Sequence, residues 1–255
     1  NDGNGSNSGH VRIFQNLNGT WTKIGSDIDG EATGHSSAYL GWSVSLSLDG
    51  SVVAIGARSG SKTGYVSIYK NNSGTWTKIG DDIYGEAVWD SFGASVSLSS
   101  DGSIVAIGAY DNDGNGSGSG HVRIYRNNSG TWTKIGDDID GEAAGDRSGN
   151  AVSLSSDGSI VAIGAPRNDS SSRDSGHVRI YQIDLDKTSP SITGLSGNAG
   201  ADSSAKSINE NTTAIHTFSA NESVTWSLNG GSDVGKFNIN SSSGALSFKS
   251  APDYE

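Results

Sequence analysis

Oxygen donors at alternate positions, closed by glycine, form one loop of this sequence: Asp111-Asn112-Asp113-Gly114-Asn115-Gly116. This spacing lets Asp111, Asp113 and Asn115 point to one centre while glycine bends the chain sharply, as in loops that wrap Ca2+. The twelfth position is Val122, so the loop is not an EF-hand, and the ninth is Ser119. With an incomplete ligand set, binding is expected to be weak, in the extracellular range of roughly 10⁻⁴–10⁻³ M. Residues 1–5 repeat the loop from its second position, Arg167 replaces the leading Asp in the last copy, and residues 58–63 hold no acid. A second acidic run, Asp137-Asp138-Ile139-Asp140-Gly141-Glu142 with Asp146 beyond, recurs as Asp81, Asp82, Glu86 and Asp90, and as Asp27, Asp29 and Glu31. Its plainer reading is a charged, solvated turn.

The other chemically able side chains also recur. His10, His121 and His177 stand two residues before Arg12, Arg123 and Arg179, while Tyr65 and Ser67 hold those places in the remaining copy. A catalytic base is not normally copied into every repeat, so stacking between repeats is the expectation. Trp21, Trp76 and Trp132 recur beside Lys23, Lys78 and Lys134; packing between repeats is expected, with sugar stacking as the alternative. No G-x-S-x-G, H-E-x-x-H or P-loop occurs. No catalytic residue is assigned, and the chain is read as a non-enzyme.

These residues are positioned by a repeat. Gly-His-Val-Arg-Ile starts at Gly9, Gly120 and Gly176, and its variant at Gly64, giving spacings of 55, 56 and 56. Thr-Trp-Thr-Lys-Ile-Gly, Val-Ser-Leu-Ser and Ala-Ile-Gly-Ala keep a similar period. Each period holds four candidate strands, predicted in one copy as Ala94–Ser99, Ser103–Ala109, His121–Arg126 and Thr131–Gly136. Ser100-Asp101-Gly102 and Asn127-Asn128-Ser129-Gly130 are the hairpin turns between them. Four short antiparallel strands in a period of this length predict a propeller blade, ahead of the competing stacked solenoid, because two tight hairpins per repeat build one twisted four-stranded sheet. Loop geometry then gathers the acidic runs on one face. Residues 9–183 supply about three such periods, too few for a closed ring, so an open arc is expected.

The chain is expected to divide into blades over 1–183, a linker over 184–190 and a second all-β domain over 191–255. In the last, strands are predicted at Ser207-Ile208, Thr213–Ser219, Val224–Leu228, Lys236–Ile239 and Ala245–Phe248, in an incomplete sandwich. The 255 residues carry a net charge of −11, which disfavours nucleic acid and anionic membranes as partners. Without Cys there is no disulfide or zinc-thiolate chemistry. No apolar run is long enough for a membrane span. The absence of Met leads us to expect a processed chain or a piece of a longer one.

Two resemblances sharpen these expectations. Residues 1–183 resemble FG-GAP β-propeller repeats, as in integrin α-subunit heads and large bacterial surface proteins. Phe92-Gly93 opens one repeat and Gly164-Ala165-Pro166 ends the equivalent hairpin of the next. Leu40-Gly41 and Ser148-Gly149 stand in for Phe-Gly, and Gly56-Ala57-Arg58 and Gly108-Ala109-Tyr110 for Gly-Ala-Pro. The calcium cage common in integrin repeats does not carry over, because the hairpins at Asp49, Asp101 and Asp157 are too short. From Asp186 on, the chain is similar to the front of a cadherin-like repeat, through Ile208-Asn209-Glu210-Asn211, Phe237-Asn238-Ile239-Asn240 with Gly244-Ala245-Leu246, and Pro252-Asp253-Tyr254-Glu255. That resemblance implies calcium ligands at Glu210, Asp253 and Glu255.

Together these imply an extracellular, cell-surface adhesion or structural fragment. It would recognise other surface proteins or glycans, bind Ca2+ weakly, and adjoin further blades and cadherin-like repeats of the same longer chain. The alternative is a carbohydrate-binding propeller, or a non-catalytic scaffold for an enzyme.

Overall fold

The computed structural model describes residues 4–30, 39–58, 63–185, 192–193, 213–220, 225–228 and 234–251. It is all-β, and it divides into two units, 1–185 and 186–255.

Unit 1 opens with β1 (His10–Val11), β2 (Phe14–Leu17), β3 (Thr20–Lys23) and β4 (Ile28–Asp29), where β2 pairs with β3 and β1 with β4. A sheet follows from β5 (Leu40–Leu46), β6 (Val52–Ala57), β7 (Tyr65–Asn72), β8 (Thr75–Lys78) and β9 (Ile83–Tyr84), with β8 and β9 both paired to β7. The next sheet, β10 (Phe92–Leu98), β11 (Ile104–Ala109), β12 (His121–Asn128) and β13 (Thr131–Asp140), is a four-stranded antiparallel meander. In it the outer strand stays continuous through a bulge opposite Val122–Ile124, where the preceding sheet breaks into β8 and β9. Strands β14 (Ala151–Leu154), β15 (Ile160–Ala165) and β16 (His177–Gln182) form the last sheet. The strands predicted in the 94–136 copy are β10 to β13.

The core lies between sheets rather than within one. All six residues of β6 and of β11 are buried, as a short unbroken apolar run bounded by turns leads one to expect. One apolar layer joins Val66 and Ile68 of β7 to Phe92 and Val105 of the following sheet. The next joins Val122 and Ile124 of β12 to Val161 and Ile163 of β15. Strand β10 packs against β5 on one side and β14 on the other, so the first strands of successive sheets face one another.

That seam explains the serines. Ser45 Oγ accepts the Leu98 N–H at 3.0 Å, and Ser97 Oγ accepts that of Leu154 at 2.9 Å. Ser43 and Ser95 donate their hydroxyls to the Gly93 and Gly149 carbonyls, at 2.8 and 2.7 Å. The hairpin tips continue it: Leu48 N–H donates to Ser100 O, and Ser100 N–H to Ser156 O. At the outer edge, the indole N–H groups of Trp76 and Trp132 each reach back 2.9 Å to a carbonyl of the preceding repeat, at Ile24 and Ile79. Trp76 and Trp132 are therefore ties between sheets, whereas Trp21 of the first copy is 68% exposed.

Within unit 1, no sheet among the described residues covers the equivalent face of β16. Val178 and Ile180 are 68% and 71% exposed, whereas their counterparts Val122 and Ile124 are buried.

Within unit 2, β17 (Ile192–Thr193) pairs with β19 (Ser219–Ala220). Strands β18 (Ala214–Thr217), β20 (Phe237–Ile239) and β21 (Ala245–Phe248) form a sheet in the order β18-β21-β20. A short 3-10 helix, Val234–Lys236, leads into β20. The strand predicted over Thr213–Ser219 is interrupted at Phe218, whose N–H turns to Gly244 O. Residues 225–228 are not a strand, contrary to expectation: Trp226 N–H bonds Ser241 O and its ring stacks on Phe218 at 5.6 Å. Ser207-Ile208 lies outside the described residues.

A β-carbon on Gly108 would lie 2.0 Å from the Gly149 carbonyl oxygen, whereas one on Gly164 would meet nothing nearer than 3.6 Å. Gly108→Ala should therefore force two sheets apart and lower the unfolding free energy by about 3 kcal/mol or more, with a matching fall in the denaturation midpoint. Gly164→Ala should stay within about 0.5 kcal/mol, or stabilise slightly through lost chain entropy. Urea melts of the two variants check this; similar midpoints would refute it.

Candidate functional site: charged clusters and an arginine-lined cavity

Five of the repeated acids, Asp27, Asp82, Asp138, Glu86 and Glu142, are bound to cations of their own or the next repeat. Asp27, Asp82 and Asp138 occupy one repeat position, four residues after Lys23, Lys78 and Lys134. Lys23 and Lys134 donate to Asp27 and Asp138 at 2.7 and 2.6 Å, and Lys78 donates to Asp82 at 2.9 Å. Arg12 donates to Asp27 at 2.8 Å, and Arg123 makes a two-armed bond to Asp138 at 2.9 and 2.6 Å. Where the arginine is replaced by Ser67, its hydroxyl donates to Asp82 instead. Burial alone would raise the Asp138 carboxyl, but the Lys134 and Arg123 hydrogen bonds outweigh it and hold it below its ordinary range. Glu86 pairs with Arg123, and Glu142 with Arg179, so each glutamate ties its loop to the third strand of the following sheet.

Glu86, His121 and Asp138 lie close enough together to hold a metal ion, with ligand atoms within 4.8 Å of one another. Arg123 meets both carboxylates and Lys134 meets Asp138. The cluster is already charge-balanced, and a further cation would have to displace them.

A pair that sequence reasoning missed is buried between repeats. Asn112 Nδ2 donates to Asp90 at 2.9 Å, and Asn168 Nδ2 to Asp146 at 2.8 Å. The same carboxylates accept the Ala87 and Ala143 N–H groups. All four polar side chains are buried. The signal was available: both partners shift together by one period between copies.

The short-hairpin aspartates are absorbed too. Asp49 accepts the Ser51 N–H and the Ser47 hydroxyl, and these bonds lower its pKa to about 2. Asp157 does the same with Ser155 and Ser159. Neither is offered to a ligand.

The structure divides the predicted calcium loop. Asp111 and Asp113 line one cavity of about 470 Å³. Asn115 Nδ2 is bonded instead to the Gly141 and Glu142 carbonyls, at 2.8 and 3.1 Å. Asp113 Oδ1 accepts the Gly118 N–H at 2.7 Å, and the loop glycine N–H at Gly114 goes to Asn112. Asp111 accepts the Ser91 hydroxyl and faces Arg58 at 3.9 Å and Arg147 at 3.8 Å. Positive charge thus already stands where a calcium ion was expected. Glu210, Asp253 and Glu255 lie outside the described residues, as does Glu31.

His121 is 2% exposed. Its Nδ1 stands 3.8 Å from Asp138 and 4.0 Å from Asp140, and its buried Nε2 has no hydrogen-bond partner among the described residues. Burial lowers its pKa, and the pull of Asp138 and Asp140 toward the charged form does not offset that. Protonation therefore favours the unfolded chain. The stability is present above the unfolded value of about 6.5 and is lost as pH falls below it toward the folded pKa. The melting temperature should fall between pH 7 and pH 5.5, roughly the window below that unfolded value. His121→Gln should flatten this step; an equal step in the variant would assign it elsewhere.

Residues 85–125 match the FG-GAP repeat family. No curated protein matches the chain. Among solved structures, a putative 6-phosphogluconolactonase from Bacteroides uniformis is 15% identical with a TM-score of 0.47, over 70% of this chain and 45% of that one. The leech intramolecular trans-sialidase is 16% identical with a TM-score of 0.39, over 69% and 28%. That from Ruminococcus gnavus is 15% identical with a TM-score of 0.33, over 70% and 38%. The chain thus spans less than half the length of each. These likenesses say nothing of its chemistry. The cadherin resemblance of unit 2 finds no support in the family match, which ends at residue 125. What is established is one FG-GAP repeat, at residues 85–125 of an all-β chain.

Proposed function

We propose that this chain is a non-catalytic recognition module of an extracellular, cell-surface protein, with other surface proteins or glycans as partners. The observation that carries this reading is the fate of its repeated polar residues. The repeated aspartates Asp27, Asp82, Asp138, Asp90 and Asp146 are consumed by bonds within and between sheets. A catalytic carboxylate needs free lone pairs or a transferable proton within reach of substrate, and these aspartates are otherwise engaged; the repeated His121, whose Nε2 has no partner among the described residues, is buried away from any substrate. Many weak contacts on repeated modules would sum through multivalency. The uncovered face of β14 to β16 suits a further blade, since Val122 and Ile124 are covered by one. Beads coated with the chain should co-aggregate or be retained on immobilised glycans, and heat-unfolded chain should do neither. Turnover of a glycoside or lactone substrate by the purified chain would overturn the non-catalytic reading.

The carbohydrate-binding alternative is favoured by one specific feature, the cavity at Asp111 and Asp113 with the exposed Trp89 in its wall.

We assign the calcium expectation to Glu210, Asp253 and Glu255 rather than to Asp111, because Arg58 and Arg147 flank the latter. The cadherin-like resemblance is what supports that assignment. Millimolar Ca2+ should raise the melting temperature, and Glu210→Gln with Asp253→Asn should abolish the rise. No rise, or an equal rise in the variant, would remove calcium from the reading.

A further inference from the structure

We infer that the cavity lined by Arg58, Arg147 and Arg167 binds the carboxylate of an acidic sugar, with Trp89 as the stacking platform. The inference rests on the recognition reading above and names the ligand class for it.

The cavity is made from what the repeat does not copy. Arg58 is replaced by Tyr110 and Pro166 at its equivalent positions, and Arg167 by Ser59 and Asp111. Arg147 is replaced by Tyr39 and Ser91. Trp89 stands where the neighbouring repeats have Gly34 and Gly145. Residues serving the scaffold recur; these four do not, and they meet at one place.

Trp89 holds a backbone conformation suited to glycine. Its φ is +77°, beside +89° for Gly145. A bulky side chain there is strained, yet the ring is 67% exposed and fills no core. Folding gives no reason for an indole at this point. A ligand with a flat apolar face does, because an aromatic ring offers large contact area at low entropic cost.

The arginines are oriented but not neutralised. Arg58 lies over the Trp42 ring at 4.7 Å and the Tyr110 ring at 5.3 Å, and Arg147 lies over Tyr110 at 5.4 Å. Their ion pairs with Asp111 are long, at 3.9 and 3.8 Å, beyond hydrogen-bond reach. Arg58 spends its Nε on Ser91 at 3.1 Å, which leaves its terminal nitrogens available. Arg167 has no side-chain partner among the described residues. Three guanidinium groups against Asp111 and Asp113 leave the cavity positive, in a chain of net charge −11. The planar guanidinium fork matches a carboxylate. Asp111 and Asp113 add acceptors suited to sugar hydroxyls. A bare inorganic anion would leave Trp89 unexplained, and a neutral sugar would leave the arginines unexplained. The volume of about 470 Å³ falls within the range of small-molecule sites, roughly 300–1,000 Å³.

The test is calorimetric titration of the full chain with trigalacturonate, its fully methyl-esterified form and inorganic phosphate. Trigalacturonate should give saturable binding, the ester should bind at least about tenfold more weakly, and phosphate should give no saturable heat. Arg167→Gln should weaken trigalacturonate binding about tenfold or more. Trp89→Gly should weaken it while leaving the melting temperature unchanged or higher, since glycine relieves the strained φ. Absence of trigalacturonate binding, equal binding of the ester or of phosphate, or full affinity in Trp89→Gly would overturn the inference. Trp89→Gly beads that adhere as well as the parent would overturn the cavity alone and leave the recognition reading standing.

Discussion

Two backbones in adjacent sheets approach so closely that neither can carry a β-carbon at the contact, and unit 1 is organised around that approach. Gly56 faces the Gly93 carbonyl and Gly108 faces that of Gly149, each with 2.0 Å left for an added β-carbon. The receiving glycines have φ of +81° and +79°, which L side chains rarely adopt. At that point the first strand bulges between Phe92 and Ser95, and its carbonyl swings toward the preceding sheet, where Ser43 bonds it. Two glycines, in different repeats, are thus halves of one contact. From it follow the spacing of the sheets, the apolar layers between them and the reach of Trp76 and Trp132 to their carbonyls.

Charge is arranged by the same logic. The net −11 suggests a self-repelling surface, and clustered acids with no partners would be one. Instead, each repeat supplies Lys, Arg or Ser within reach of its own aspartate, and the next repeat supplies an arginine for its glutamate. Exposed pairs of this kind contribute little individually, about 0–1 kcal/mol. Their value lies more in satisfying buried or half-buried carboxylates at the seams, where an unpaired group would be costly.

The strands and the repeat were legible in the sequence because both depend on local pattern: alternation, turn residues and period. The structural part of the tryptophans was legible for the same reason. The partners of Asp111 were not. D-x-D-x-N-G spacing describes one loop, whereas Arg58 and Arg147 arrive from loops far along the chain, and only the sheet-to-sheet stacking brings them there. The neighbours of Asn115 were hidden in the same way, since its amide N–H groups reach two carbonyls of a neighbouring loop that sequence spacing cannot place. The interrupted β18 and the missing strand at 225–228 reflect a different limit. There aromatic stacking at Phe218 and Trp226 competes with ladder pairing, and periodicity does not register that competition.

Each kind of tie between sheets is seen twice, one repeat apart and through the same atoms: serine to carbonyl at Ser43 and Ser95, indole to carbonyl at Trp76 and Trp132, glycine to glycine at Gly56 and Gly108. A repeat therefore meets its neighbours through a standard connector, whichever copies they are. An in-frame duplication of about 56 codons, the spacing of the last two motif copies, would insert a sheet with both connectors intact. Such an added sheet would need no newly fitted interface, because the unrepeated loop residues take no part in these ties.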